Sequence, residues 1–480
     1  MQSFWGFDAN LPMAIEPLFP EMGELSSGQS SPPQESNGKA YRCSDEDQES
    51  ALMRDDLTAV YFDRVHPNIP FIHKLRYFDM LEQCAPSESQ VCLQLAVQTA
   101  AAVSTAQTLK PSDTLYAEAS AALENVKIDG PIGRARGAPV ELEYIQAFLL
   151  IVYYEALRMP PHRYLLTAGR AFRLVQIARL HEVDLETGRE TPSREECLLA
   201  TESEEEAFCR KEAQRRTFWA AYCFDRFFSI RHELPITLHD VATHTRLPAP
   251  EASFQDTNPV SMPFLCDAIS NPATTILPTF AESVMLATIQ GRITMLRGAS
   301  TSTGTGTSAP TTNCSNPIDI APKLQDLRSF LRHRLQIINK YFPKASAAVE
   351  STLSCTHILA YYLKISLTEV AEDMVEHHQR SATTAITTTL CPAEAFDAYS
   401  EIVGLAKSSC RFSRFKTHLF LPVLLARAIS FRVRHRPHEI SVDVGKLDGI
   451  SELMAILQGL GCVNRQAKEL VDELKGVDLY

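Results

Sequence analysis

Within QRRTFWAAYCFDRFFSIR, residues 214–231, Arg215, Arg216, Asp225 and Arg226 stand among Phe218, Trp219, Tyr222, Phe224, Phe227 and Phe228. Charge set among aromatic rings needs a partner, because an isolated buried ion is costly. Two arrangements meet that need. One is an internal salt-bridge network. The other is a ligand pocket in which Arg215, Arg216, Trp219, Asp225 and Arg226 receive a guest. The residues alone leave both open.

Other chemistry finds fewer residues to carry it. A phosphate-cradling loop needs closely spaced glycines opening a helix, and neither GxGxxG nor GxxxxGK[ST] occurs. The serine elbow GxSxG and the helical HExxH are absent too. His377-His378 beside Glu372, Asp373 and Glu376 is the densest ligand-like cluster. Adjacent histidines project to different helix faces, so this reads as a solvated surface. His232-Glu233 and His239 are interrupted by Pro235, while His66 and His73 flank Pro67 and Pro70 as turn residues. Arg432, Arg434 and Arg436 form a short basic run that suits a helix C-terminus. No catalytic set emerges, and an enzyme is not expected.

The elements that must position these residues are helical. Nineteen glycines in 480 residues are roughly 4%, against about 7% in average proteins, which favours long helices over turn-rich strands. With 45% hydrophobic residues the chain can build a sizeable core, and the expected class is all-α. A net charge of −12 gives no overall attraction to phosphate. The opening MQSFWGFDANLPMAIEPLFPE has no Lys or Arg before Lys39, so no secretory signal is expected. The longest uncharged stretch, Ser89 to Leu109, carries four glutamines and suits a buried helix better than a bilayer. Twelve scattered cysteines without a CxxC read as free thiols in a reducing compartment.

Along the chain, residues 1–50 read as a disordered acidic segment. In residues 1–38 Phe4, Trp5, Phe7, Leu18 and Phe19 alternate with Asp8, Glu16, Glu21 and Glu24, a pattern of activation segments. Helical periodicity begins after Ala51: Leu57, Val60, Tyr61 and Val65 share a face until Pro67 and Pro70. Leu142, Ile145, Leu149 and Val152 form a second stripe, and Ala168, Ala171, Phe172 and Val175 a third. Ser203 and Glu206 form a capping box at the start of the helix that holds the charged aromatic segment. The expected units are a helical core over 51–297, a flexible Gly/Ser/Thr/Pro linker over 298–317, and a helical continuation over 318–480.

Three segments together resemble the fungus-specific transcription factor domain, the helical regulatory region of fungal zinc-cluster transcription factors. The first, residues 57–78, carries Tyr61, Phe62, His66, Pro67, Pro70 and His73. The second is YLLTAGRAFRLVQIARLH, residues 164–181. The third, residues 212–248, has Arg215, Arg216, Phe218, Trp219, Asp225, Arg226, Pro235, Leu247 and Pro248 in the family's order. The family usually carries a six-cysteine binuclear zinc cluster that enters the DNA major groove. Here the first cysteines are Cys43, Cys84 and Cys92, without CxxC or a basic linker.

The resemblance implies a nuclear transcription regulator of a metabolic or biosynthetic gene set. It would work with the transcription machinery or coactivators, as a homodimer or a heterodimer with other transcription factors. DNA would be reached indirectly or through a module these residues lack, and no membrane partner is expected. No cofactor is expected, since the cysteine cluster for the zinc the family implies is absent. The alternative is an all-α small-molecule-binding protein or enzyme with the Arg/Asp aromatic helix as its pocket.

Overall fold

The capping box at Ser203 opens the element around which the chain is organised. In a computed structural model, residues 56–106, 111–126, 140–185, 203–240, 243–272, 275–301, 317–344, 351–377, 392–409, 413–435 and 449–476 are described. All of them belong to the unit Ser50–Tyr480. The 1–38 activation pattern lies outside the described residues.

A short helix leads into a π-turn at Tyr61–Val65 and a 3-10 turn at His66–Asn68. The wider π-turn keeps Leu57, Tyr61 and Val65, four apart, on one buried face. Helices α1 (Lys74–Leu81), α2 (Glu88–Val103), α3 (Pro111–Asn125), α4 (Leu142–Arg158) and α5 (Pro161–Ile177) follow. Ser87 and Gln90 cap α2, and its Ala100-Ala101-Ala102 run lets neighbouring helices pack closely against it. Helix α4 buries every residue from Tyr144 to Leu157, which accounts for its nearly unbroken apolar sequence.

Helix α6 spans Glu204–His232, with Glu204, Glu205 and Glu206 in its first turn and Arg231 and His232 in its last, both favourable to the helix dipole. It ends at Glu233 in a left-handed conformation, φ 55°, which turns the chain into Leu234-Pro235. Two short helices, α7 (Glu251–Gln255) and α8 (Leu265–Ser270), precede the long helices α9 (Thr279–Thr301), α10 (Pro317–Tyr341) and α11 (Ser351–His377). The chain closes with α12 (Pro392–Ser409), α13 (Leu421–Arg434), α14 (Ile450–Leu460) and α15 (Arg465–Gly476).

The all-α expectation holds: no strand forms among the described residues, whose one extended pairing is the isolated antiparallel bridge Arg246–Phe264. The linker boundary moves, because α9 runs to Thr301, four residues into the Gly/Ser/Thr/Pro tract, before α10 starts at Pro317. The two sides of that tract share one core, continuous from Leu57 to Leu474. Helix α11 packs on α9, α10, α12 and α13, and Gln466 at the start of α15 donates to the Ala156 carbonyl of α4 at 3.0 Å. No helix among the described residues is long and apolar enough to cross a membrane.

Candidate functional site: a buried charge network on α6

Helix α6 turns Arg215 and Arg216 toward different parts of the chain. Arg215 meets Asp184 in a two-point pair, Nε to Oδ2 at 2.9 Å and Nη2 to Oδ1 at 2.6 Å. Asp184 also accepts the Arg246 amide at 2.9 Å. Burial would raise the Asp184 carboxyl, but the Arg215 bonds and the Arg246 amide outweigh it and hold it below its ordinary value. Burial would lower the Arg215 guanidinium, and Asp184 raises it instead.

Arg216 is fully buried. Its Nε donates to Glu212 at 3.0 Å, one Nη to the Pro70 carbonyl at 2.7 Å, and the other to the Ala249 carbonyl at 2.8 Å. Glu251 completes its ion pairing and accepts from His66 Nε2 at 2.8 Å. Burial would raise Glu251, but the His66 hydrogen bond and the Arg216 charge dominate and bring it down to about 2. Glu212 serves both arginines and accepts the Ala249 amide at 2.7 Å. One guanidinium thus ties α6 to the His-Pro turn, to the chain before α7 and to α7 itself.

Trp219, with no exposed surface, donates its indole N–H to the Arg246 carbonyl at 2.7 Å. Asp225 accepts the Thr237 and Leu238 amides at 3.0 and 2.8 Å. Arg226 pairs with Asp225 at 3.1 Å, donates to the Leu238 carbonyl, and lies over the Tyr222 ring 3.2 Å from its centroid. Burial raises the Asp225 carboxyl, with the Leu238 amide and Arg226 opposing it. These contacts fasten the loop after α6 back onto the helix. Helix α9 crosses close by at Gly291, where a Cβ would come within 3.3 Å of Arg226 and 3.2 Å of Ile236. That crowding accounts for a glycine inside a helix.

Arg215 and Arg216 therefore work with Glu212, Asp184 and Glu251, while Asp225 and Arg226 form a separate cluster one side of the helix further on. The arrangement neutralises charge and joins distant segments, and it contains no nucleophile with an adjacent base. A cavity of about 650 Å³ adjoins Arg216, lined in part by His66, Phe227, Phe280, Phe342 and His418. Of the partners that the sequence did not single out, Glu212 sits three and four residues before the two arginines, a spacing that pairs charges on a helix. Asp184 and Glu251, 31 and 35 residues away in sequence, carry no such local signal.

The remaining sites resolve into structural contacts. His73 caps α1 by accepting the Arg76 amide, and His232 Nε2 lies 2.6 Å from the Tyr164 hydroxyl. Glu372 bonds His435 at 3.0 Å, while His378 and Arg436 lie outside the described residues. Arg432 donates to the His435 carbonyl at 3.2 Å, and Arg434 pairs with Glu369 at 3.4 Å. Among the described residues no group of three His, Cys, Asp or Glu is placed to hold a metal ion. Burial pushes the Cys223 and Cys355 thiols up to about 12, which keeps them protonated.

The family model described as the fungal specific transcription factor domain matches residues 58–348, and the chain belongs to that family. It is similar to the asperfuranone cluster transcription factor afoA of Emericella nidulans, 34% identical over 443 residues, covering 88% of this chain and 65% of that protein. It is also similar to the citrinin biosynthesis transcriptional activator ctnR of Monascus purpureus, at 33% over 435 residues, covering 88% and 68% respectively. The pigment biosynthesis transcriptional activator pigB of Monascus ruber is 31% identical over 448 residues, 88% of this chain and 74% of that protein. The chain thus spans about two thirds of the length of the first of these relatives. No solved structure matches it.

Proposed function

We propose that this chain regulates transcription of a fungal biosynthetic gene set, and that its helical body is the regulatory region. The observation that supports this most is the family match across residues 58–348, joined to relatives whose names describe regulators of biosynthetic clusters. The protein acts in the nucleus and is not an enzyme. The α6 network holds the regulatory body in one shape, so that surfaces for coactivators and for a homodimeric or heterodimeric partner are presented together. The described body works without zinc of its own. Contact with DNA is made through a partner, or through a zinc cluster borne outside these 480 residues. Residues 1–38, acidic and aromatic, supply the activating surface.

The test is genome-wide transcript measurement in the host after deletion and after overexpression of the gene. A coordinated change in one contiguous set of biosynthetic genes is expected. Unchanged transcripts under both conditions, with the protein shown to be present in the overexpressing strain, would overturn the proposal.

A further inference from the structure

The cavity beside Arg216, about 650 Å³, is walled by parts of the chain far apart in sequence. Phe227 comes from α6, Phe280 from the first turn of α9, Phe342 from just past the end of α10, and His418 from the segment before α13. Its size falls in the range that holds small organic ligands. Pro250 and Pro278 add apolar surface between the rings.

The charged groups of the wall are already matched. Arg64 and Lys416 both pair with Asp63, at 3.5 and 2.7 Å. Arg216 pairs with Glu212 and Glu251, and Glu251 accepts from His66 and Gln255 besides. Every cation in the wall thus has its carboxylate, and an uncharged guest suits the cavity better than an ion.

His418 differs from these groups. Its Nδ1 accepts the Phe420 amide N–H at 3.3 Å, so the proton of the neutral ring sits on Nε2. Nε2 has no hydrogen-bond partner in the chain, yet it is not among the atoms sealed from contact and keeps accessible surface of its own. Protein surrounds the imidazole closely enough to push it from 6.5 down to about 4, which a ring facing bulk water would not show. The surface that Nε2 keeps therefore faces the cavity that His418 lines. Phe227 meets the imidazole edge-on, with centroids 6.2 Å apart and planes at 90°, and helps to hold its orientation. A neutral N–H donor with aromatic walls around it is the layout of a site for an apolar molecule with one acceptor.

We propose that this cavity binds a small uncharged organic molecule with an apolar ring system, one carbonyl oxygen of which accepts from His418 Nε2–H. The rings lie against Phe280 and Phe342, which the core leaves only partly buried. Because its walls come from both sides of the 298–317 tract, an occupant stabilises their junction by mass action. The proposal rests on the geometry of the cavity and stands whether or not the chain regulates transcription.

The test titrates the purified full chain at neutral pH with two fluorescent probes. Prodan, 6-propionyl-2-(dimethylamino)naphthalene, is an uncharged ring system with one ketone; its emission moves to the blue in apolar surroundings and back to the red when the ketone accepts a hydrogen bond. The second probe, 6-propyl-2-(dimethylamino)naphthalene, has the same body without the carbonyl. Saturable one-site binding of prodan is expected, with emission to the red of prodan in dry hydrocarbon. His418→Phe should weaken prodan by about tenfold, the effect of one lost hydrogen bond, and shift the emission of what still binds to the blue, while the carbonyl-free probe keeps its affinity. Thr279→Trp, at a half-buried position in the wall, should block both probes. Absence of saturable prodan binding would overturn the proposal. So would binding that Thr279→Trp leaves intact, or a His418→Phe variant that binds prodan as the wild type does or loses both probes equally. Should His418→Phe fail to fold, the wild-type chain still decides the matter, because bound prodan emitting as far to the blue as in hydrocarbon would show a ketone without a donor.

Discussion

The two polar regions at either end of the α6 turn treat buried groups in opposite ways. Around Arg216, guanidinium donors go to Glu212, Glu251 and the carbonyls of Pro70 and Ala249, so the region is held by contacts within the protein. Across α9, Gln290 Oε1 and Arg297 Nε are buried without a partner, in residues that line a cavity of about 530 Å³ but with no surface of their own exposed to it. Both regions are charged, with Glu212, Arg215, Arg216, Asp184 and Glu251 in the first and Glu233, Arg297, Glu369, Asp373, Arg427 and Arg434 in the second, but the charges of the first are the more deeply buried. Buried charge in this fold is taken up by partners within the chain.

Removing parts of the network should produce the largest losses. Arg216→Ala leaves the buried Glu212 without one of its cationic partners and frees the Pro70 and Ala249 carbonyls, a loss of about 3 to 5 kcal/mol by chemical denaturation. Trp219→Ala should cost a similar amount, about 3 to 5 kcal/mol, from the cavity it leaves and the hydrogen bond to Arg246. Losses under about 1 kcal/mol would place these residues with the exposed pairs and erase the contrast.

Asp225→Ala comes next, at about 1 to 3 kcal/mol, because it strands the Thr237 and Leu238 amides and the buried Arg226. The loop from Leu234 to Leu238 should loosen with it, read as faster amide exchange there than in α4. Unchanged exchange in that loop would show that Asp225 does not fasten it.

Acid should weaken the fold through histidines rather than through the paired carboxylates first. Burial pushes His232 and His418 from 6.5 down to about 4. The unfolded chain therefore binds protons that the folded chain refuses, and stability present above pH 6.5 is lost as pH falls toward 4. Melting temperatures measured across this window should fall, and replacing both histidines by Gln should flatten the fall. Glu251, lowered to about 2, adds its own loss only below the ordinary carboxylate range. A double variant with the wild-type pH profile would assign the acid sensitivity elsewhere.

The smallest effect belongs to the rim of the cavity. Arg434, 57% exposed at its side chain, pairs with Glu369 in high dielectric, and Arg434→Ala should cost less than about 1 kcal/mol. A larger loss would mean that the rim pairs brace the fold as the α6 network does.

Much of the frame was legible in the sequence because its signals are local. The Ser203/Glu206 box marks the start of α6, and the Leu142 and Ala168 stripes mark α4 and α5 through their 3.6-residue period. The charged aromatic segment announced that partners were needed, but not which ones. Asp184 sits in an acidic stretch that looks like solvated loop, and only the folded chain brings it to Arg215. Glu251 lies beyond two turns and meets Arg216 through the tertiary path alone. The cavity over α9 gave no sign at all, since Gln290, Thr294 and Met295 are ordinary helix residues that come to line it only after packing. The edge of the expected linker differs for a related reason: Gly298, Ser300 and Thr301 are weak helix formers that α9 nevertheless carries in its last turn.

The most direct measurement is the melting temperature of purified Arg216→Ala, taken beside transcript levels in a strain carrying the same change. A structural network predicts a large drop in melting temperature, low protein abundance and transcripts resembling the deletion strain. Wild-type melting temperature and abundance with the deletion transcript pattern would contradict it, and would make Arg216 a contact for a ligand or partner instead.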